Sequence, residues 1–192
     1  MSLFKIDCGD VFLQEFTIEN IEDIYSITSE PEVCEFLPDW KSTREQRHHW
    51  VTNYEIPSNK DFLSSIPEID GQNFLKLGII EKESGKFIGF CNTGIKEELP
   101  EPNREISYAI TKDYRNKGYT TEAVKGLVNF LFEKTNVNAL NIVVLPNNEG
   151  SIKVIEKSGF SFKANVEIEN QKHYHYTLEK ENWKVGKSEA ES

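Results

Sequence analysis

The chain has 192 residues, of which 38% are hydrophobic and 28% charged, so it is long enough for one globular domain with a buried core. Its formal net charge of −10 disfavours nucleic acid as a partner, because phosphate backbones would be repelled. No apolar run reaches the roughly 18 residues of a membrane span, and the N-terminus lacks the basic start and apolar stretch of a signal peptide. Cys8, Cys34 and Cys91 are widely spaced, which indicates reduced thiols in a cytoplasmic protein rather than a disulfide framework.

The first third of the chain predicts a strand followed by two helices. Residues 12–17 alternate between apolar and other side chains, as a strand does, and Thr17 is placed to cap the helix that follows. A second helix is predicted near Ser42, which stands in capping-box spacing with Glu45. Residues 56–73 contain two prolines and many polar residues, and this composition predicts a loop.

The remainder predicts a meander of strands and then alternating helices and strands. Strands are expected at 74–82, 86–95, 105–111, 140–145, 160–168 and 172–180, and helices at 119–134 and 151–157. Together these elements predict a single mixed α/β (α+β) domain over residues 1–182. The last residues, 183–192, are expected to form a frayed polar tail.

Residues 115–123, RNKGYTTEA, place two cations and a glycine immediately before a predicted helix. The first N–H groups of a helix have no internal acceptor, and a glycine lets an anion approach the main chain. Arg115 and Lys117 would add charge-assisted contacts. The loop therefore predicts a phosphate or pyrophosphate site, although neither the P-loop nor the GxGxxG pattern is present. The alternative is a helix start with two solvated cations.

This loop resembles the acyl-CoA loop of the GNAT family of N-acetyltransferases, whose pattern is Arg/Gln-x-x-Gly-x-Gly/Ala. A second match follows in LPNNEGSIKVIEKSGF at 145–160, where Asn148 and Ser151 form an Asn-x-x-Ser motif. The two motifs together are most similar to the branch that acetylates the N-termini of ribosomal proteins. Two positions depart from the family: Thr120 replaces a glycine or alanine, and Ile155 stands where many relatives carry a tyrosine acid.

The resemblance implies a central, mostly antiparallel sheet flanked by helices. The fourth and fifth predicted strands, at 105–111 and 140–145, would be parallel to each other and splayed apart. It implies acetyl-CoA as cosubstrate, with the pantetheine arm between these strands, and no metal. The implied coenzyme-binding residues are Ile110, Thr111, Arg115, Asn116, Lys117, Gly118, Tyr119, Thr120, Asn148 and Ser151. From the residues alone, Asn148 could instead shape the turn after Pro146, and Ser151 could cap the 151–157 helix.

The resemblance also implies direct acetyl transfer to an amine, with Glu105 as a base acting through water and Ser151 as a group that orients or protonates the sulfur. An exposed glutamate at the edge of a strand is the alternative for Glu105. The expected acceptor is the N-terminal amine of a protein or peptide. A small amine, such as a polyamine or an aminoglycoside, and a non-catalytic acyl-CoA-binding module are the alternatives. An acidic segment, 97–103, would favour a cationic acceptor if it borders the site.

Two further features leave alternatives open. His173 and His175 alternate along a predicted strand and so point to one side, which could begin a zinc site, but no third ligand with suitable spacing follows. The pair is therefore expected to line the substrate mouth or to be partly exposed. The sequence is compatible with a monomer or a homodimer.

Overall fold

An eight-stranded sheet organises the chain in the computed structural model, which describes residues 3–69, 71 and 73–190. Its strands are β1 Lys5–Asp7, β2 Val11–Glu15, β3 Leu75–Glu81, β4 Phe87–Ile95, β5 Arg104–Ile110, β6 Ala139–Val144, β7 Ser161–Ile168 and β8 Gln171–Glu179. Their order is β1-β2-β3-β4-β5-β6-β8-β7, and all neighbours are antiparallel except β5 and β6. The predicted mixed sheet is confirmed. The short strand β1 was not predicted, so the predicted fourth and fifth strands are β5 and β6.

Helices cover both faces of this sheet. They are α1 Ile21–Thr28, α2 Pro31–Phe36, α3 Arg44–Trp50, α4 Ile56–Ser65, α5 Tyr119–Lys134, α6 Glu149–Lys157 and α7 Lys180–Ala190. Helix α5 buries Val124, Leu127 and Leu131 in the larger hydrophobic core, as its helical spacing of apolar residues requires. A smaller core packs residues of α1, including Ile24, against Phe90 of β4. Among the described residues, no helix is long and apolar enough to cross a membrane.

The predicted loop at 56–73 is wrong over its first half, where the chain forms α4. This helix follows α3 through a π-helical turn at Val51–Glu55, and Pro57 falls in its first turn, where proline is tolerated. Asn59 is polar but fully buried. Its side chain donates to Lys76 O (2.8 Å) and accepts from Lys76 N (2.7 Å), so it binds the main chain of β3. Polar composition therefore gives no indication of this helix.

Two helix ends also differ from expectation. The capping box of α3 is formed by Thr43 and Gln46, one residue later than predicted: Gln46 N donates to Thr43 Oγ1 (3.2 Å), and Thr43 N to Gln46 Oε1 (2.8 Å). At the C-terminus, α7 continues to Ala190 where fraying was expected from 183. Its Trp183 donates from Nε1 to Asn129 Oδ1 on α5 (2.8 Å), which anchors the helix. Residues 191 and 192 of the predicted tail lie outside the described residues.

Candidate active site

The parallel strands β5 and β6 pair at one position, Glu105 with Asn141, and separate beyond it. Thr111 donates its main-chain N–H to Ile88 O (2.9 Å) on the β4 side. Because successive residues of a strand direct their main-chain groups to opposite neighbours, Ile110 directs its own toward β6. A cleft of about 1010 Å³ lies there, with Ile110 in its lining. The N–H of Ile110 is thus placed for the predicted pantetheine contact, whereas the N–H of Thr111 is already used within the sheet.

The loop before α5 has the backbone geometry expected of an anion site. Gly118 is the N-cap of α5 and has φ of 89°, in the left-handed region, and a Cβ at this position would have no neighbour within 4 Å. Asn116 is also left-handed, with φ of 61°. Glu122 N donates to Gly118 O (3.1 Å), and the preceding N–H groups of the first turn have no helical acceptor. The open side of this loop can therefore receive a diphosphate.

The side chains of the loop face in different directions. Arg115, Asn116 and Thr120 line the cleft, whereas Thr111, Lys117, Gly118 and Tyr119 lie outside its lining. The hydroxyl of Tyr119 donates to Glu81 Oε1 (2.9 Å). The ammonium of Lys117 lies 4.7 Å from the centre of the Tyr114 ring. Their predicted coenzyme contacts stay predictions, and the main-chain N–H groups at 118–120 are the donors without a helical acceptor.

Arg115 is held by a partner that the sequence does not reveal. Its Nη2 lies 3.4 Å from Glu30 Oε2, and its Nε donates to Ile110 O (3.3 Å). Glu30 also accepts from the N–H of Lys112 (3.2 Å) and from the hydroxyl of Thr111. Arg115 is therefore oriented before any ligand arrives, and part of its charge is already balanced.

The first turn of α6 brings the second motif to the same cleft. Asn148 caps this helix, because its Oδ1 accepts from Ser151 N (3.1 Å). The alternative in which Ser151 is the cap is therefore wrong, since the helix begins at Glu149. Both Asn148 and Ser151 line the cleft. Ile155, at the position of the family's tyrosine acid, is fully buried.

Glu105 lies in the cleft at the point where β5 and β6 separate, half-buried rather than freely exposed. Burial raises the pKa of its carboxyl to about 7. Lys96 and a hydrogen bond with the main chain of Val143 act in the opposite direction on this pKa, and Glu98 adds to the rise. A carboxyl with a pKa near neutrality is suited to take a proton from an amine and to release it again.

Tyr108 is a cleft residue that the motifs do not predict. Its hydroxyl donates to the carbonyl oxygen of Ser151 (3.1 Å), and burial raises the pKa of this phenol above its ordinary value. It therefore stays protonated at neutral pH and keeps its hydrogen bond to the main chain of Ser151. The sequence could have indicated Tyr108 only through its position in a strand that was expected to border the coenzyme.

Several acidic side chains line the cleft. Glu32, Glu35 and Asp39 come from α2 and the segment after it, and Glu98 and Glu169 come from other parts of the chain. Lys96 also lines the cleft, but it is paired with Glu98 at 3.2 Å. The 97–103 segment thus contributes Glu98 to the cleft lining, and the turn between β7 and β8, which was not predicted, contributes Glu169. A cationic acceptor would be attracted to this lining.

The two histidines of β8 have different surroundings. His173 lines the cleft. His175 is only 3% exposed and lies 2.8 Å from Asn141, measured from Nε2 to Oδ1, so the expectation that both line the mouth is wrong for His175. Among the described residues, no group of three or more His, Cys, Asp or Glu side chains could hold a metal ion.

Comparisons with known proteins agree with this geometry. A family model described as acetyltransferase (GNAT) domain matches residues 10–161. The chain is 24% identical over 179 residues to the uncharacterized N-acetyltransferase YnaD of Bacillus subtilis (strain 168), covering 90% of this chain and 95% of YnaD. It is 30% identical over 154 residues to YdaF of the same strain, and this match covers 76% of this chain and 81% of YdaF. YdaF carries the provisional name of a ribosomal N-acetyltransferase. The solved structure of aminoglycoside acetyltransferase AAC(6')-Ib in complex with coenzyme A and kanamycin has a TM-score of 0.71 and 16% identity, covering 91% of this chain and 98% of that chain.

Proposed function

The chain belongs to the GNAT acetyltransferase family and is an acetyl-CoA-dependent N-acetyltransferase, and we propose that its acceptor is the N-terminal α-amine of a protein or peptide. The observation that carries the choice of acceptor is the similarity with YdaF, and the acidic lining of the cleft supports a basic peptide. Membership of an enzyme family leaves the non-catalytic acyl-CoA-binding alternative without support. We place this activity in the cytoplasm, where its cysteines, free in the structure, would stay reduced.

In the proposed reaction, Glu105 takes the proton of the attacking amine through a water molecule. The amine nitrogen then forms a bond to the acetyl carbon, and the bond from that carbon to sulfur breaks. Ser151 is the candidate to orient the sulfur or to pass a proton to the leaving thiolate, a proton that its hydroxyl would regain from water, and the hydroxyl of Tyr108 is bonded to the main chain of Ser151. The main-chain N–H groups at 118–120 would bind the diphosphate and hold the thioester in line with the amine.

A small amine is the alternative acceptor, because an acidic cleft also attracts polyamines and aminoglycosides. A turnover screen with acetyl-CoA separates the two classes. It should include peptides with different N-termini, spermine and kanamycin, each at the same concentration. Turnover confined to the small amines would contradict the proposal.

A peptide with a free N-terminus and downstream lysine or arginine should be acetylated faster than an acidic peptide of equal length, because acidic side chains line the cleft. The advantage should shrink as salt rises, since exposed charges are screened beyond about 10 Å at 0.1 M ionic strength. Mass spectrometry should locate the acetyl group on the α-amine, whose pKa near 8 leaves far more free base at neutral pH than a lysine pKa near 10.4. Acetylation on the lysine side chain would contradict this prediction.

The rate should depend on pH through Glu105. Because burial raises its pKa to about 7, the carboxylate form is lost as pH falls through this value, and kcat/KM should fall with it. A pH profile of kcat/KM with a basic peptide measures this limb. The Glu105→Gln variant should lack the limb and keep only the dependence of the peptide's own α-amine, with a pKa near 8. Identical profiles for the two proteins would remove Glu105 from the role of base.

A further inference from the structure

We propose that Asn141 and His175 are positioning residues that hold Glu105 at the point where β5 and β6 separate. The proposal rests on the proposed function, in which Glu105 is the base. It also gives a role to the buried histidine of the His173–His175 pair, which the acetyl-transfer reaction as described leaves unused. Neither residue needs to touch a substrate for this role.

The side chain of Asn141 is 2% exposed and uses both ends of its amide. Its Nδ2 donates to Pro102 O (2.9 Å) and to Arg104 O (3.1 Å). With Nδ2 committed to two carbonyls, Oδ1 is the acceptor that faces His175 Nε2 at 2.8 Å. His175 must therefore carry a proton on Nε2. Four segments are joined by this one amide: the end of the 97–103 segment, β5, β6 and β8.

This network meets Glu105 in two ways. Asn141 is the β6 residue paired with Glu105, and the Arg104 carbonyl that it binds belongs to the peptide bond leading into Glu105. On the other side, His175 pairs with Val143 across β6 and β8, and the main chain of Val143 is hydrogen-bonded to the Glu105 carboxyl. Asn141 thus fixes the main chain at Glu105, and His175 fixes the part of β6 that contacts the Glu105 carboxyl.

Removing the Asn141 amide would take away the donor that the carbonyls of Pro102 and Arg104 share, and water would enter to replace it. Water at the start of the cleft would reduce the burial of Glu105, so its pKa should fall from about 7 toward its ordinary 4.5. The charged groups that affect the pKa of Glu105 are Lys96 and Glu98, and Lys163 affects the pKa of His175. None of these three charges is altered by the substitution. A less basic and less well-placed carboxylate accepts the amine proton more slowly.

The experiment compares Asn141→Ala, His175→Leu and His175→Gln, with Asn138→Ala as a control at an exposed asparagine just before β6. Glutamine at 175 can still donate to Asn141 Oδ1, whereas leucine cannot. The Glu105 pKa is read by carbon-13 NMR of glutamate-labelled protein, with Glu105→Gln to assign the signal. Melting temperature, kcat and both KM values are measured on the same samples.

In Asn141→Ala, we expect the Glu105 pKa to fall by about one unit or more. We expect kcat to fall by roughly 10- to 100-fold, as displacement of a catalytic group by an ångström can do. The KM for acetyl-CoA should change little, since the coenzyme loop is untouched. His175→Leu should move both quantities in the same direction, and His175→Gln and Asn138→Ala should stay near the wild type.

An unchanged Glu105 titration and kcat in folded Asn141→Ala and His175→Leu would overturn the proposal, even if both melt at lower temperature. If Asn141→Ala does not fold, the leucine and glutamine variants of His175 decide the question by the same two readouts. A shifted Glu105 pKa with unchanged kcat would have a different meaning. It would support the positioning role and contradict the proposed role of Glu105 as the base.

Discussion

Replacing Glu105 by glutamine should lower kcat/KM at neutral pH by roughly 10²- to 10⁴-fold, the range that a general base contributes. Glutamine keeps the size and polarity of the side chain but cannot accept the proton of the amine. Coenzyme affinity should stay nearly intact, because the proposed diphosphate site at 118–120 lies beyond the far end of β5. Steady-state kinetics and calorimetric titration of CoA measure the two effects separately.

Glu35→Gln is the matched control, since Glu35 also lines the cleft but lies on the wall formed by α2. It should leave kcat close to that of the wild type. A loss in Glu105→Gln of less than about threefold, far below the range for a general base, would return Glu105 to the role of a polar cleft residue.

Gly118→Val should produce the second large effect, a loss of coenzyme affinity. The φ of 89° at Gly118 is unfavourable for a branched side chain, and the side that a Cβ would enter is the open side proposed for the diphosphate. Backbone strain of this kind is worth about 1–3 kcal/mol, and the loop relieves it by leaving the conformation that presents its N–H groups to the diphosphate. With the blocked approach added, Kd for CoA should rise by roughly 10- to 100-fold or more, at about 1.4 kcal/mol for each factor of ten.

Two control variants make this result specific. Gly159→Val places the same residue at a φ of 91°, also with nothing within 4 Å of its Cβ, but at the C-terminal end of α6 rather than in the 115–120 loop. It should reduce stability while leaving CoA binding near that of the wild type. Lys117→Ala should weaken binding only slightly, because its ammonium lies over the Tyr114 ring. Equal, small effects of Gly118→Val and Lys117→Ala in calorimetric titration would place the diphosphate elsewhere.

Local patterns account for the parts of the fold that the sequence predicts well. Strand β5, Gly118 and α5 follow one another within residues 104–134, and α5 begins at Tyr119 and ends at Lys134 as its spacing indicates. The paired motifs also identify the strands that form the cleft, since each motif follows one of them. No distant contact is needed for either inference.

The missed features depend on tertiary contacts. Helix α4 has the polar composition of a loop. Its buried Asn59 is polar because it binds the main chain of β3, 17 residues away in the sequence. His175 was expected at the substrate mouth because strand alternation predicts the face of the sheet on which a side chain lies. It does not predict how deeply that side chain is buried. The charge of Arg115 is balanced by Glu30, which is 85 residues away in the chain. None of these partners follows from spacing along the sequence.

The burial of Glu105 has a consequence for folding as well as for catalysis. Between pH of about 4.5 and about 7, the folded chain retains a proton on this carboxyl that the unfolded chain has already released. The contribution of Glu105 to the free energy of unfolding therefore declines as pH rises through this window. Activity and stability thus have opposite slopes against pH at this residue. The ionised carboxylate that the reaction needs is the form that the fold tolerates least, as expected where function and stability compete.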